Sequence, residues 1–316
     1  MSPHALEVDR LVKVYRAGSA KPVRAVDEMS FTVSRGTIFG LLGPNGAGKS
    51  TMLRMLTTLT RPTAGQASIL GLDIVKQPLE VRRQIASVIQ ETAAELLLSV
   101  RDNLLTYARF HSQDRRTAVK RAAYVIDRFQ LGPYVDSKVQ DLSGGYRRRV
   151  QVAKVFMLDT PVLFLDEFST GMDPILKRAV IALLRGEAQK GRTIVLTTQI
   201  LGEAEELCDD ILIMNNGKQV ARGDLNTLKL LSQGVYEVSM TFDQMPEQIE
   251  SKVSRLEPLR SHINQNTVEV AFKTSQGQVL EVVTNLAEGR QVLRLEVNGA
   301  SLEDIFVELM HKEAAS

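Results

Sequence analysis

The stretch GPNGAGKST at residues 43–51 constrains this chain more than any other feature. It lies between the apolar run TIFGLL and a helical pattern from Lys49 to about residue 59, so a buried strand must turn through glycines straight into a helix. Glycines at 43, 46 and 48 let backbone N–H groups point inward, and the helix start adds positive potential. A Gly-rich turn without a ligand would show the same glycines. The strand and helix on either side favour a phosphate cradle, with Lys49 on the β and γ phosphates and the Ser50 hydroxyl on Mg²⁺. Gly43, Asn45, Gly46, Gly48, Lys49, Ser50 and Thr51 are therefore read as nucleotide-binding residues.

A second apolar run, VLFL, ends in Asp166 and Glu167, which puts two acids at the C-terminal edge of a strand, where open α/β sheets bind ligands. Beside a phosphate loop, Asp166 is suited to hold Mg²⁺ through water and Glu167 to polarise a water for in-line attack. The strand TIVLTT at 193–198 follows a helix over 175–189, and this β-α-β alternation predicts a parallel sheet buried on both faces. Residues 5–15 and 25–33 read as further strands, 66–70 as another, and about 90–142 as a helix-rich insertion. Beyond residue 234 the pattern predicts strands at 235–242, 267–272 and 291–297, with helices at 247–256 and 278–287. Two β-α-β halves fit a small ferredoxin-like sandwich, followed by an amphipathic helix over 302–310 with Leu302, Ile305, Phe306 and Leu309 on one face.

A third element, LSGGYRRRVQVAKV from residue 142, sets Ser143, Gly144 and Gly145 before a helix that carries Val150, Val152, Ala153 and Phe156. Its helix start is a further anion-binding candidate. Together the three elements resemble the nucleotide-binding domain of the ATP-binding cassette (ABC) ATPases. The resemblance implies a P-loop NTPase core with a parallel sheet, an antiparallel β subdomain and a helical subdomain at about 90–160, all within residues 1–230. It also implies ATP and Mg²⁺ as ligands and a dimer in which Ser143, Gly144 and Gly145 face the phosphates bound by the other copy. By the same resemblance Tyr15 stacks on adenine, Gln90 contacts Mg²⁺ and the attacking water, and Asp173 closes a D-loop at 169–173. Residues 235–316 look like the accessory domain of ATPase subunits of ABC-2-type exporters, most of all in SLEDIFVELM.

The chain departs from the family's pattern at Tyr146 for Gln, at Phe168 for Pro after the acid pair, and at Gln199 where the family carries a switch histidine. Glutamine can donate to a γ phosphate but cannot take up a proton, so nucleotide sensing survives and hydrolytic rate is open. Arg147, Arg148 and Arg149 lack interleaved aromatics and read as a solvated helix face, so no nucleic-acid partner is expected.

Composition decides what remains. With 316 residues the chain has room for two packed domains, and 44% hydrophobic content excludes a disordered chain. A net charge of +2 favours no polyanionic partner, and one cysteine, Cys208, forms no internal disulfide. No stretch approaches the roughly 18 uncharged residues of a spanning helix, and no signal peptide is read at the start. The resemblance then implies separate integral membrane permease subunits, a second nucleotide-binding subunit as a homodimer, and a place at the cytoplasmic face of the cell membrane. The competing reading is a soluble ABC ATPase acting in translation, repair or cofactor assembly. A module that binds ATP without hydrolysing it is a third, kept open by Gln199.

Overall fold

The computed structural model describes residues 3–16, 21–89, 94–231, 235–274, 278–287, 289–299 and 301–314. Contacts divide the chain into two compact units, Met1–Val220 and Ala221–Ser316. In chain order the first unit comprises β1 (His4–Tyr15), β2 (Val23–Ser34), β3 (Ile38–Leu42), α1 (Lys49–Leu56), β4 (Ala64–Ile69), β5 (Leu72–Asp73), α2 (Pro78–Gln84) and β6 (Ile85–Val88). There follow α3 (Val100–Phe110), α4 (Arg115–Arg128), α5 (Gly144–Val155), β7 (Val162–Asp166), α6 (Pro174–Gln189), β8 (Thr193–Thr198), α7 (Leu201–Leu207), β9 (Asp210–Asn215) and β10 (Lys218–Gly223), within which the division falls.

The central sheet has the order β10-β9-β3-β8-β7-β6, with β3, β6, β7, β8 and β9 joined in parallel register. Successive residues of these strands feed opposite layers, because side chains alternate across a sheet. Val162 and Phe164 of β7 pack with Phe39, Leu41 and the α1 residues Met52 and Leu53. Leu163 and Leu165 pack instead with Leu104 of α3, Val150 and Ala153 of α5, and Leu184 of α6. This double burial leaves every residue of β3, β7 and β8 buried, with apolar cores IFGLL, VLFL and IVL. A smaller sheet, β2-β1-β4-β5, is antiparallel throughout its recorded pairings and covers the α1 side of the core.

Helix starts follow the side chains available to cap them. Ser99, Asp114, Ser143 and Asp173 each accept a backbone N–H from the first turn of α3, α4, α5 and α6. The phosphate-loop helix stops at Leu56, three residues short of expectation. Thr58 adopts a left-handed φ of 64°, and the Thr57 hydroxyl donates to the Leu53 carbonyl at 2.8 Å.

The second unit comprises α8 (Leu225–Leu231), β11 (Val235–Phe242), α9 (Ile249–Ser254), β12 (Arg260–Asn264), β13 (Thr267–Lys273), α10 (Val279–Ala287), β14 (Val292–Gly299) and α11 (Leu302–Ala314). Its sheet order, β12-β13-β11-β14, with all recorded pairings antiparallel, is that of a ferredoxin-like sandwich. Val238, Met240 and Phe242 point into a core with Ile249 and Val253 of α9 and Val279, Val283 and Leu286 of α10. On α11, Leu302 and Ile305 are buried as the amphipathic pattern requires, yet Asp304 and Glu308 are buried too. Ion pairs explain this: Lys273 reaches Glu308 at 2.5 Å, and Arg260 meets Glu237 at 2.6 Å, Glu303 at 3.0 Å and Asp304 at 3.6 Å.

Arg192 joins the edge of the main sheet remote from the strand tips. It pairs with buried Glu187 at 2.7 Å and donates to the carbonyls of Thr160 at 2.8 Å and Leu158 at 3.1 Å. Burial opposes the Glu187 carboxylate, but hydrogen bonds from Arg192 and Lys190 hold it below the usual glutamate range. A carboxyl depressed in the folded state stabilises above its unfolded value, and the gain is lost as pH falls through the folded one. Glu187→Gln is expected to cost about 3 kcal/mol near neutral pH. That deficit should shrink in thermal melts below the ordinary glutamate range, whereas a deficit constant with pH would contradict the pairing.

Candidate active site

The phosphate loop leaves β3 and enters α1 through a backbone that only glycine tolerates at its tightest point. Gly48 has φ of 104°, and a Cβ there would lie 2.2 Å from the Ala25 carbonyl oxygen. The loop lines a cavity of about 460 Å³ together with Ala25, Glu167 and Gln199. Asn45, Gly46, Gly48, Lys49, Ser50 and Thr51 all contribute to it, and Gly43 forms the base of the turn.

Lys49 is only 6% exposed and donates to the carbonyls of Gly43 at 2.6 Å and Pro44 at 3.0 Å. Burial lowers its pKa, while the charges of Glu167 and Asp166 work in the opposite direction. The ammonium is thus held by the carbonyls of its own loop, with the charges of two acids at the end of β7 favouring its charged form.

Asp166 ends β7 and is 1% exposed. Its Oδ1 accepts from Ser50 Oγ at 3.4 Å and from the Thr197 hydroxyl of β8, whereas its buried Oδ2 has no hydrogen-bond partner among the described residues. A buried carboxylate oxygen left unpaired beside a serine hydroxyl is a donor set that fits Mg²⁺, a hard cation preferring oxygen ligands. Glu167 follows in a left-handed φ of 47°, a conformation that costs a non-glycine residue of order 1–3 kcal/mol. Its N–H is held by the Thr197 carbonyl at 3.1 Å and hydroxyl at 3.2 Å.

Arg148 braces the same turn. Its guanidinium donates to the carbonyls of Asp166, of Glu167 at 2.7 Å and of Phe168 at 3.3 Å. Arg149 pairs with Asp173, stacks 4.3 Å from the Tyr146 ring and is likewise buried. The expectation of a solvated face across Arg147–Arg149 therefore holds only for exposed Arg147. The other two side chains turn inward to acceptors that no local pattern reveals.

Ser143 and Gly144 are exposed and do not line the cavity of their own chain. Ser143 caps α5, and Gly145 packs so closely that an added Cβ would lie 2.6 Å from the Gly171 carbonyl oxygen. Asp173 caps α6 through Leu176 N–H at 3.0 Å, and this bond, with Arg149, lowers its pKa. Tyr15 stands at the end of β1, half-buried with the Lys13 ammonium 5.1 Å from its ring centre, and is not part of the cavity wall. Gln90 lies outside the described residues. Gln199 is exposed at the cavity, just past the tip of β8.

Sequence reasoning missed Arg148, Thr197 and Glu203. Glu203 is a buried carboxylate of α7 that accepts from Ser169 at 2.5 Å and Thr198 at 3.0 Å and pairs with Lys177 at 2.6 Å. It ties the 169–173 loop to the strand end beside Gln199.

The fold and cavity define a nucleotide-binding cassette, and comparison with known proteins agrees. The family model described as ABC transporter matches residues 26–170. A daunorubicin/doxorubicin resistance ATP-binding protein, DrrA, of Streptomyces peucetius is 40% identical over 71% of this chain and 67% of its own length. The Nod factor export ATP-binding protein I of Rhizobium etli is 33% identical over 91% of this chain and 89% of its own. The chain belongs to the ABC transporter family, as an ATP-binding subunit. A solved ATP-binding subunit of an ABC transporter superposes with a TM-score of 0.67 at 29% identity, covering 72% of this chain and 93% of that one. A dimeric cassette bound to ADP and Pi gives 0.65 at 23%, covering 70% and 98%, and shows the shared fold.

Arg148→Met should remove the guanidinium from the carbonyls of Asp166, Glu167 and Phe168, of which Glu167 keeps the Thr170 N–H, and lower stability by about 2 kcal/mol. ATP turnover should fall at least ten-fold while nucleotide affinity changes little, because the contacts reach Asp166 to Phe168 and not the phosphate loop. Fluorescent-nucleotide titration and a steady-state ATPase assay separate the two. An equal loss in both would place Arg148 in binding.

Proposed function

We propose that this chain is the ATP-hydrolysing subunit that powers a membrane exporter. The observation that carries the reading is the convergence of Lys49, Ser50, Asp166 and Glu167 at one cavity in a chain whose relatives, aligned along most of its length, are export and resistance subunits. The soluble alternative in translation, repair or cofactor assembly is not favoured by those relatives. No helix among the described residues is long and apolar enough to cross a membrane, so integral permease subunits are proposed to do so, with this chain docked at their cytoplasmic face.

In the proposed reaction Lys49 neutralises charge on the β and γ phosphates, and the loop N–H groups hold them. Ser50 and Asp166 would hold Mg²⁺, with Gln90 as a further contact, and the ion would supply Lewis-acid stabilisation of phosphate charge. Glu167 orients and polarises the attacking water. Tyr15 is assigned to adenine. Ser143, Gly144, Gly145 and Asp173 are assigned to closure against ATP held by a second copy, which agrees with the exposure of Ser143 and Gly144.

Glu167→Gln keeps the shape of the site but removes the base, so ATP and Mg²⁺ should drive a stable dimer with turnover reduced at least a hundred-fold. Gel filtration reads this directly, and a variant that stays monomeric at saturating ATP would overturn the two-copy mechanism. Copurification of the wild-type chain from solubilised membranes with a polytopic protein supports export, and a ribosome or DNA partner in its place would refute it.

Gln199 gives the γ phosphate a neutral amide donor where an imidazole could become cationic. Gln199→His should raise kcat several-fold with little change in KM, and Gln199→Ala should lower kcat, since only the transition state gains the extra charge. Equal rates in all three forms would take residue 199 out of the reaction.

A further inference from the structure

The strand β14 is unlike the other edges of the structure. It pairs with β11 on one side and ends the order β12-β13-β11-β14 on the other. Every residue from Leu293 to the strand's end is exposed, including Leu293 at 61%, Leu295 at 44% and Val297 at 40%. Leu295 lies opposite Met240 and Val297 opposite Val238, both core residues, so these two apolar side chains share the face that carries α9 and α10, while the register shifts beside Leu293, where Val292 pairs with Phe242. An apolar edge with a free row of backbone donors and acceptors is a template for pairing with another strand.

Proteins usually blunt such an edge with charged side chains, proline, bulges or a covering element. Here the order is Val292, Leu293, Arg294, Leu295, Glu296, Val297, Asn298, and it is self-complementary about Leu295. A two-fold axis through that residue sets Leu295 against itself and Leu293 against Val297. It also sets Arg294 against Glu296 in both directions. Within one chain Arg294 and Glu296 already pair along the strand at 2.5 Å, with both side chains well exposed. Across the axis the same four charges would alternate in sign, with no like charges opposed.

We infer that β14 is a homotypic interface: two copies of this chain pair antiparallel through it, centred on Leu295, and join their four-stranded sheets into one of eight strands. The contact is isologous, as a two-fold requires. One strand pair buries less surface than a standard stable interface, so the association is weak and concentration-dependent. It is separate from the nucleotide-driven contact proposed above and needs no ATP.

Sedimentation velocity of the nucleotide-free full chain, from about 1 to about 100 µM, should show a reversible monomer–dimer equilibrium. Arg294→Glu and Glu296→Arg, both at exposed positions, should each weaken it at least ten-fold by opposing like charges. The double variant, and an equimolar mixture of the two single variants, should restore it. Leu295→Cys in a Cys208→Ala background should form a disulfide-linked dimer on mild oxidation, while Leu280→Cys, exposed on α10, should not. A monomer at every concentration, a dimer indifferent to both reversals, failure of the double variant to recover, or equal crosslinking from both cysteines would overturn the inference.

Discussion

A buried ammonium must find compensation, and at Lys49 that requirement organises the catalytic end of the molecule. Desolvation pulls its pKa down, and the fold answers with Glu167 and Asp166, brought from a different strand. For those acids to reach Lys49, β7 must lie in the same parallel sheet as β3, and β8 must lie between them. Thr197 of β8 then bonds the Asp166 carboxylate and the Glu167 N–H at once. One electrostatic demand thus depends on three strand tips in register, which the doubly buried sheet supplies.

The same logic extends outward to the arginines of α5. Glu167 adopts a left-handed conformation at the end of β7, and Arg148 donates to the carbonyls of Asp166, Glu167 and Phe168 around it. Arg149 next to it fixes Asp173 and lies over Tyr146. In consequence Tyr146 is part of a stack that reaches Asp173 at the end of the 169–173 loop. Arg148 and Arg149 thus join the second turn of α5 to Asp166 and Asp173 by direct side-chain contacts.

Where burial is set by local pattern the sequence was legible. Runs such as VLFLD and TIVLTT mark β7 and β8 to the residue, because parallel strands covered on both faces are apolar through their centres and carry polar residues only towards their ends. The phosphate loop was equally plain, since glycine, lysine and serine at that spacing answer to one geometry. What escaped were features decided by distant partners. The strand β12 pairs on one side only, with two polar, exposed residues at its centre, so RSHIN has no alternation to betray it. Arg148, Arg149 and Glu203 look like solvated charge in the sequence and are buried in the fold, since carbonyls and hydroxyls from other elements receive them. The same holds for Asp304 and Glu308 on α11, where the apolar stripe was read correctly and the salt-bridged acids beside it were not.

The site as one chain presents it is rigid at its floor and open at its mouth. Asp166 and Thr197 are buried and bonded to each other, and buried Lys49 is bonded to the carbonyls of its own loop, whereas Glu167 is half-buried and Gln199 exposed. The group best placed to add further donors, the N-terminus of α5 at Ser143, is exposed and directed elsewhere than its own cavity. Electrostatic stabilisation of phosphoryl transfer works best when water is excluded and donors are fixed in advance. A single chain meets the second condition on one side of the nucleotide and the first on none. In the proposed mechanism the missing wall is the α5 start of a second copy, and the exposure of Ser143 and Gly144 away from their own cavity is what supports that assignment.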